Sequence, residues 1–255
     1  MEKYVMVTGG AGGIGKALSE VYAKNGHNVV IVDINIQNIE KIKKELEEKY
    51  GIKVFPIEAN LLQDEAAQLI YDECNKENIF VEILVNNAGI GASGDYATSD
   101  WSRQRSIVEL NNIAMMHLIR LFLPKMIEER NGKICNIASN AGFMPLAPQP
   151  IYGASKAFVI SFSQALYEQY KKDGISVTCI CPGPTKTAFF KSAGFDLKNL
   201  KGATPESVAK FAYKKTMASK ALASHGFSTK MMSVGSRLFP RALVRSVAAK
   251  VGASQ

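Results

Sequence analysis

Tyr152 and Lys156 stand four residues apart in the stretch IYGASKAFVISF, which turns helical, so the phenol and the ammonium share one face about one turn apart. A tyrosine hydroxyl, with an ordinary pKa of about 10, is a weak base at neutral pH. A neighbouring cation and a positively charged ring both favour the phenolate and lower that value, which would make the hydroxyl a useful proton donor or acceptor. Ser139 lies 13 residues before Tyr152, at the end of an apolar run, where it could hydrogen-bond an oxygen on which charge develops. A lone Tyr-x-x-x-Lys is more often a surface pair, so the weight of this reading rests on what else the chain carries.

The second constellation opens the chain. In MVTGGAGGIGKAL, Gly9, Gly10, Gly12, Gly13 and Gly15 crowd between an apolar strand and a helix beginning near Ile14. Glycine permits a tight turn and lets a pyrophosphate approach main-chain N–H groups at the positive end of a helix. Gly10-x-Gly12-x-x-Gly15 matches the dinucleotide fingerprint, and Asp33 follows 18 positions after Gly15 at the end of the run VIVDIN. At that strand tip a carboxylate accepts from the ribose 2′- and 3′-hydroxyls and repels a 2′-phosphate. Ile34 and Asn35 follow with no cation, so the expectation is NAD(H) in preference to NADP(H). Asp33 could also cap the helix that begins near Ile36.

These residues need elements to hold them. Short β-branched runs at residues 5–7, 29–32, 54–57, 83–85, 134–137 and 177–180 alternate with segments of helical period, such as Ile39, Ile42, Leu46 and Tyr50. The runs are apolar almost throughout, as strands buried on both faces are, which predicts a doubly wound α/β fold with a parallel sheet. No linker interrupts the rhythm, and residues 1–255 read as one domain.

The net charge of +8 is not clustered over most of the chain, which argues against nucleic acid; the basic excess gathers mainly after Lys198. The sequence shows no run of about 18 apolar residues and no leader pattern, so the expectation is a cytoplasmic protein. Cys74, Cys135, Cys179 and Cys181 lack CxxC spacing and read as reduced core thiols, with no metal site. His27, His117 and His225 are dispersed, and Trp101 reads as packing in the loop before a long helix.

Thr8-Gly9-x-x-x-Gly13-Ile14-Gly15, Asn86-Asn87-Ala88-Gly89, Ser139, Tyr152-x-x-x-Lys156 and the turn PGPTKT occur in that order between residue 4 and about residue 190. Together they resemble the classical short-chain dehydrogenase/reductase family, and the C-terminal part resembles a bacterial subgroup of broad or unassigned substrate. The resemblance implies a Rossmann-type sheet of about seven strands and hydride transfer between a nicotinamide and a carbonyl or secondary alcohol. It implies that Thr8, Gly9, Gly13, Ile14 and Gly15 cradle the cofactor, and that Asn86 with Asn87, Ala88 and Gly89 walls the adenosine ribose. Asn60, followed by Leu61, stands where the family usually has an aspartate beside adenine. Thr187 would bind the nicotinamide carboxamide after the Pro182–Gly183 turn, with Pro182, Gly183 and Thr185 also against the cofactor, and Lys156 would hold the nicotinamide ribose. Asn111, preferred to Asn112 because Leu110 precedes it, would hold a water linking Lys156 to solvent. A homodimer or homotetramer packed through the helices around Asn111 and Tyr152 is also implied, as is a cofactor-binding and catalytic core over residues 1–190.

Substrate has to be read from the less ordered stretches. Phe143 and Met144 follow the serine, and Phe189 and Phe190 open a segment, residues 188–195, where the family has its lid; the lid and a last strand at residues 230–234 would fill residues 188–235. Both linings are apolar, which suggests a steroid, fatty or aromatic ketone, although such aromatics can equally pack against helices. The tail, residues 236–255, could align Arg237, Arg241 and Arg245 beside Leu238, Leu243, Val247 and Val251 as a basic amphipathic helix for weak peripheral membrane contact, or serve as a dimer or lid cap. The competing readings are an NADP(H)-dependent ketoreductase and a non-catalytic NAD-sensing or scaffold protein on the same fold.

Overall fold

The β-branched runs become strands: β1 (Glu2–Thr8), β2 (Asn28–Asp33), β3 (Val54–Glu58), β4 (Ile79–Asn86), β5 (Gly132–Ile137) and β6 (Ile175–Cys181), joined by a short β7 (Leu222–Ser224). The computed structural model describes residues 1–189 and 202–253. All described pairings are parallel, in the order β3-β2-β1-β4-β5-β6-β7. Successive side chains point to opposite faces, so β1 sends Tyr4 and Met6 into one apolar layer and Val5 and Val7 into the other. The first layer is covered by α3 (Ala66–Lys76), α5 (Met115–Glu128) and α6 (Pro150–Tyr170), through Ile70, Leu118 and Val159. The second is covered by α1 (Gly13–Lys24), α2 (Ile36–Tyr50) and α7 (Pro205–Met217), through Leu18, Ile39 and Ala209. The order reverses between β1 and β4, which opens the crevice beyond the carboxyl ends of the strands where ligands bind in such sheets.

Four expectations change. Residues 230–234 are not the last strand but the middle of a helix, α8 (Phe227–Leu238), because Thr229 and Ser233 face inward at helical spacing while Met231 and Val234 stay exposed. Arg237 lies in the last turn of that helix, and extended Phe239 with Pro240 separates it from α9 (Arg241–Ala253), so the three arginines do not form one stripe. Trp101 is 65% exposed and opens α4 (Trp101–Val108), whose cap is Asp100. The continuous helix Trp101–Glu128 is long and apolar enough to cross a bilayer by composition, yet Leu118, Ile119, Phe122 and Met126 bury that apolarity against the sheet. All four cysteines are buried thiols.

Candidate active site

A cavity of about 610 Å³ lies beyond the ends of β1, β4, β5 and β6, and it brings together the glycine loop, Asp33 and the Ser139, Tyr152 and Lys156 side chains. The loop is shaped by close approach. A Cβ on Gly15 would lie 1.9 Å from the Gly9 carbonyl oxygen, and Gly9 and Gly13 take φ of +60° and +49°. Gly12 caps α1 with no side chain on the first-turn N–H groups, and a Cβ there would meet nothing within 4 Å. Open space at an uncapped helix start fits an anionic pyrophosphate. Ile14 lines the same wall, and Thr187 closes over Gly13 from the turn after β6, where Pro182, Gly183 and Thr185 complete the lining.

Asp33 lines the cavity, where its Oδ2 accepts from Ala11 N at 3.0 Å and its Oδ1 from Asn35 N at 3.3 Å. It does not cap α2; Asn35 does, accepting from Asn38 N at 2.9 Å. Several carried-over residues sit elsewhere than expected. Thr8 is buried as a bolt between strands: its hydroxyl accepts from Asn87 N and Ala88 N at 3.0 Å and donates to Val85 O. Asn87 and Gly89 do line the cavity with Ala88, but Asn86 turns away, donating to Asn136 Oδ1, whose amide donates in turn to Ser163 Oγ, each at 2.9 Å. Asn60 spends its side-chain oxygen on Leu62 N, Leu61 packs against an apolar layer, and neither lines the cavity.

The reactive side chains come from α6 and from the end of β5. Pro150 starts α6, and Tyr152 and Lys156 face inward on one turn, both buried. Lys156 Nζ donates to Ile137 O at 2.9 Å and lies 5.8 Å from the centre of the Tyr152 ring, which packs against Phe189 at 5.6 Å. Ser139 accepts from Ala141 N and donates to Asn140 Oδ1, both at 3.2 Å, which holds its hydroxyl beside the phenol. Asn111 falls in a π-helical turn, Glu109–Ala114, between α4 and α5. Its Oδ1 accepts from Ile90 N at 2.9 Å while its amide donates to Ile90 O and Ser155 Oγ, so it pins the loop after Gly89 to α6. Asn112 reaches only the Ser155 carbonyl. Asn111 is therefore the positioning residue of the two.

Burial dominates the electrostatics. It pushes the Tyr152 phenol up to about 12, with the Ser139 hydroxyl pulling the other way, and Lys156 down to about 8. In the free protein burial raises the Tyr152 phenol instead of the lowering expected from Lys156, whose ammonium is bonded to the Ile137 carbonyl. Between about pH 8 and pH 10 the unfolded chain therefore holds a Lys156 proton that the folded chain has lost. Wild-type stability should gain on Lys156→Met by roughly 1–3 kcal/mol across that range. Thermal melts of both proteins over the range read the gap; a gap constant with pH would mean that Lys156 holds its proton as an exposed lysine does.

Met144 and Phe189 line the cavity as expected, but Phe143 packs against the core layer at the end of a short 3₁₀ turn. Phe190 and the rest of the anticipated lid lie outside the described residues. Met232 and Gln149 line the cavity unforeseen. Helical spacing from Thr229 would have found Met232, which the strand reading of residues 230–234 hid; Gln149 carried no signal beyond its place before Pro150.

The short chain dehydrogenase family model matches residues 3–197. A mouse very-long-chain 3-oxoacyl-CoA reductase is 31% identical over 71% of this chain, which spans 58% of that relative's length. A zebrafish (Danio rerio) 17-beta-hydroxysteroid dehydrogenase type 3 is 35% identical over 73% of this chain and 62% of its own. A solved short-chain dehydrogenase from Sphingobium yanoikuyae in complex with NADPH is 25% identical, with a TM-score of 0.85 over 93% of this chain and 94% of that one. On the extent of these matches and the arrangement of its cavity, the chain belongs to the short chain dehydrogenase family.

Proposed function

We propose that this protein is an NAD(H)-dependent oxidoreductase that interconverts an apolar ketone and its secondary alcohol. The observation that carries the reading is the convergence of Ser139, Tyr152 and Lys156 with an uncapped α1 N-terminus on one cavity. When bound, the nicotinamide supplies or accepts the hydride; the chain does the rest. Ser139 Oγ would turn its hydroxyl from Asn140 Oδ1 to the carbonyl oxygen, and Tyr152 Oη, still protonated at neutral pH, would deliver its proton there as charge builds. In the reverse direction Tyr152 must first give up its own proton, and the phenolate then takes the proton from the alcohol. Lys156 braces the end of β5 through Ile137 O, and Asn111 holds the opposite wall. Met144, Leu146, Phe189 and Met232 keep that end of the cavity apolar, which supports a fatty, steroid or aromatic substrate.

Cofactor choice is the finer part of the reading, and the solved relative bound to NADPH makes the alternative concrete. Asp33 favours NAD(H) because a carboxylate at that place repels a second phosphate. Initial rates on a panel of ketones, with NADH and NADPH separately, test reaction and cofactor together. Wild type should prefer NADH, and Asp33→Ala should narrow the ratio of kcat/KM values by about tenfold or more, which corresponds to at least about 1.4 kcal/mol. A native preference for NADPH would remove Asp33 as selector while leaving the chemistry of Tyr152 intact.

A further inference from the structure

The end of the chain is built unlike the rest. After Glu206 there is no carboxylate side chain at all, while nine cations follow; the preceding residues balance 22 cations against 23 carboxylates. This one-signed segment also carries the most exposed apolar side chains. On α8, Phe227, Met231, Val234 and Leu238 fall at i, i+4, i+7 and i+11, one helical face, with Phe227 79% and Leu238 75% exposed. Phe239 continues the patch, and Leu243 and Val247 on α9 are about half exposed. Lys230 and Arg237 project to solvent from α8, and Arg241 and Arg245 from α9. A contiguous apolar stripe rimmed by charge is an interaction surface rather than scattered exposure.

The geometry points to docking of the α8–α9 surface on an anionic membrane. Phe227, Met231, Val234 and Leu238 would enter the headgroup region while the four cations meet lipid phosphates and carboxylates. Charge decides between this occupant and a second copy of the chain. A two-fold contact between copies would set Lys230, Arg237, Arg241 and Arg245 against their own images, with no carboxylate in the segment to offset them. An anionic lipid surface supplies the missing sign. The opposite side of α8 explains the use of such docking: Met232 lines the active-site cavity, so the membrane-facing helix is also a wall of that cavity. An apolar substrate dissolved in lipid would then meet the cavity at the bilayer rather than cross water. Docking is read without turnover, so it stands apart from the proposed reaction.

Sedimentation of the full chain with phosphatidylcholine vesicles, and with vesicles containing about 30% phosphatidylglycerol, is the test. We expect at least about tenfold tighter binding to the anionic vesicles, falling about tenfold or more as salt rises from about 0.05 M to about 0.5 M. Phe227→Asp with Leu238→Asp should abolish binding without moving the melting temperature, since both side chains are solvent-facing. Arg237→Glu with Arg241→Glu should remove the preference for anionic lipid. Absence of binding at low salt overturns the inference, as does equal binding to both vesicle types. A dimer in light scattering that Leu238→Asp dissociates, with no vesicle binding, would assign the face to a second copy and overturn it too.

Discussion

Replacing Tyr152 with phenylalanine is expected to lower kcat by about 10²–10⁴-fold, the range for removing a positioned proton donor, while NADH binding stays close to wild type. The substitution deletes a single oxygen. The ring keeps its place between Phe189 and Lys156, so the cavity wall is preserved. Burial already holds the phenol up to about 12, so removing its oxygen takes away no charged group at neutral pH, and the melting temperature should hold or rise. Single-turnover reduction of a ketone, alongside titration of NADH fluorescence, separates the two effects. Turnover within about tenfold of wild type would show that another group delivers the proton. A joint loss of turnover and NADH binding would point instead to collapse of the α6 wall.

The second large effect concerns two glycines in one loop that should respond in opposite ways. Gly15→Ala places a Cβ 1.9 Å from Gly9 O and 2.7 Å from Asn87 Nδ2, and neither the backbone nor the half-buried amide, which is bonded to Thr8 O and Gly9 O, can yield without breaking the junction of β1 and β4. Overpacking of this kind costs about 3 kcal/mol or more, visible as a fall in the urea midpoint before any cofactor is added. Gly12→Ala has room and an extended backbone (φ −150°), so the fold should be unaffected. Its new methyl group would nevertheless stand in the open space over the start of α1, and dinucleotide affinity should drop about tenfold or more. If Gly12→Ala bound NADH normally, the phosphates would have to sit elsewhere; if Gly15→Ala melted normally, the tight crossing at Gly9 would not be needed for folding.

Much of this was legible in the chain because the signals were local. Strands buried on both faces are apolar almost throughout, so VVIV and the Ile134, Cys135 and Ile137 of ICNI announce themselves, and a glycine loop is recognisable because φ of +60° at Gly9, with the Ala88 Cα 3.1 Å from where a Cβ would stand, favours glycine. Tyr152 and Lys156 were readable for the same reason: four residues on a helix is one turn. What escaped depended on distant packing. Whether Phe143 or Met144 meets the cavity is set by one step of a 3₁₀ turn, for which neither helical nor strand periodicity applies. The three residues of β7 are too few for any period, so nothing in the sequence set them against the last strand that the family resemblance implied at residues 230–234. The direction of the Tyr152 shift was missed because spacing shows a nearby charge, while the enclosure that outweighs it is built from Ile107, Ala141 and Phe189, far apart in sequence.

The pair Asn86 and Asn136 bears on how the chain finds its fold. The two residues are register partners on adjacent strands, joined side chain to side chain and tied onward to Ser163 on α6. Strands of nearly uninterrupted Val, Ile and Leu have little to choose between neighbouring alignments, since a slipped strand still meets hydrocarbon on both faces. An asparagine in each strand makes the slip detectable: a displacement by one residue would strand buried amides without partners, at about 1–3 kcal/mol for each. The pair thus favours one alignment of β4 and β5, the one that brings Ser139 and Asn87, which follow those strands, to the same end of the sheet.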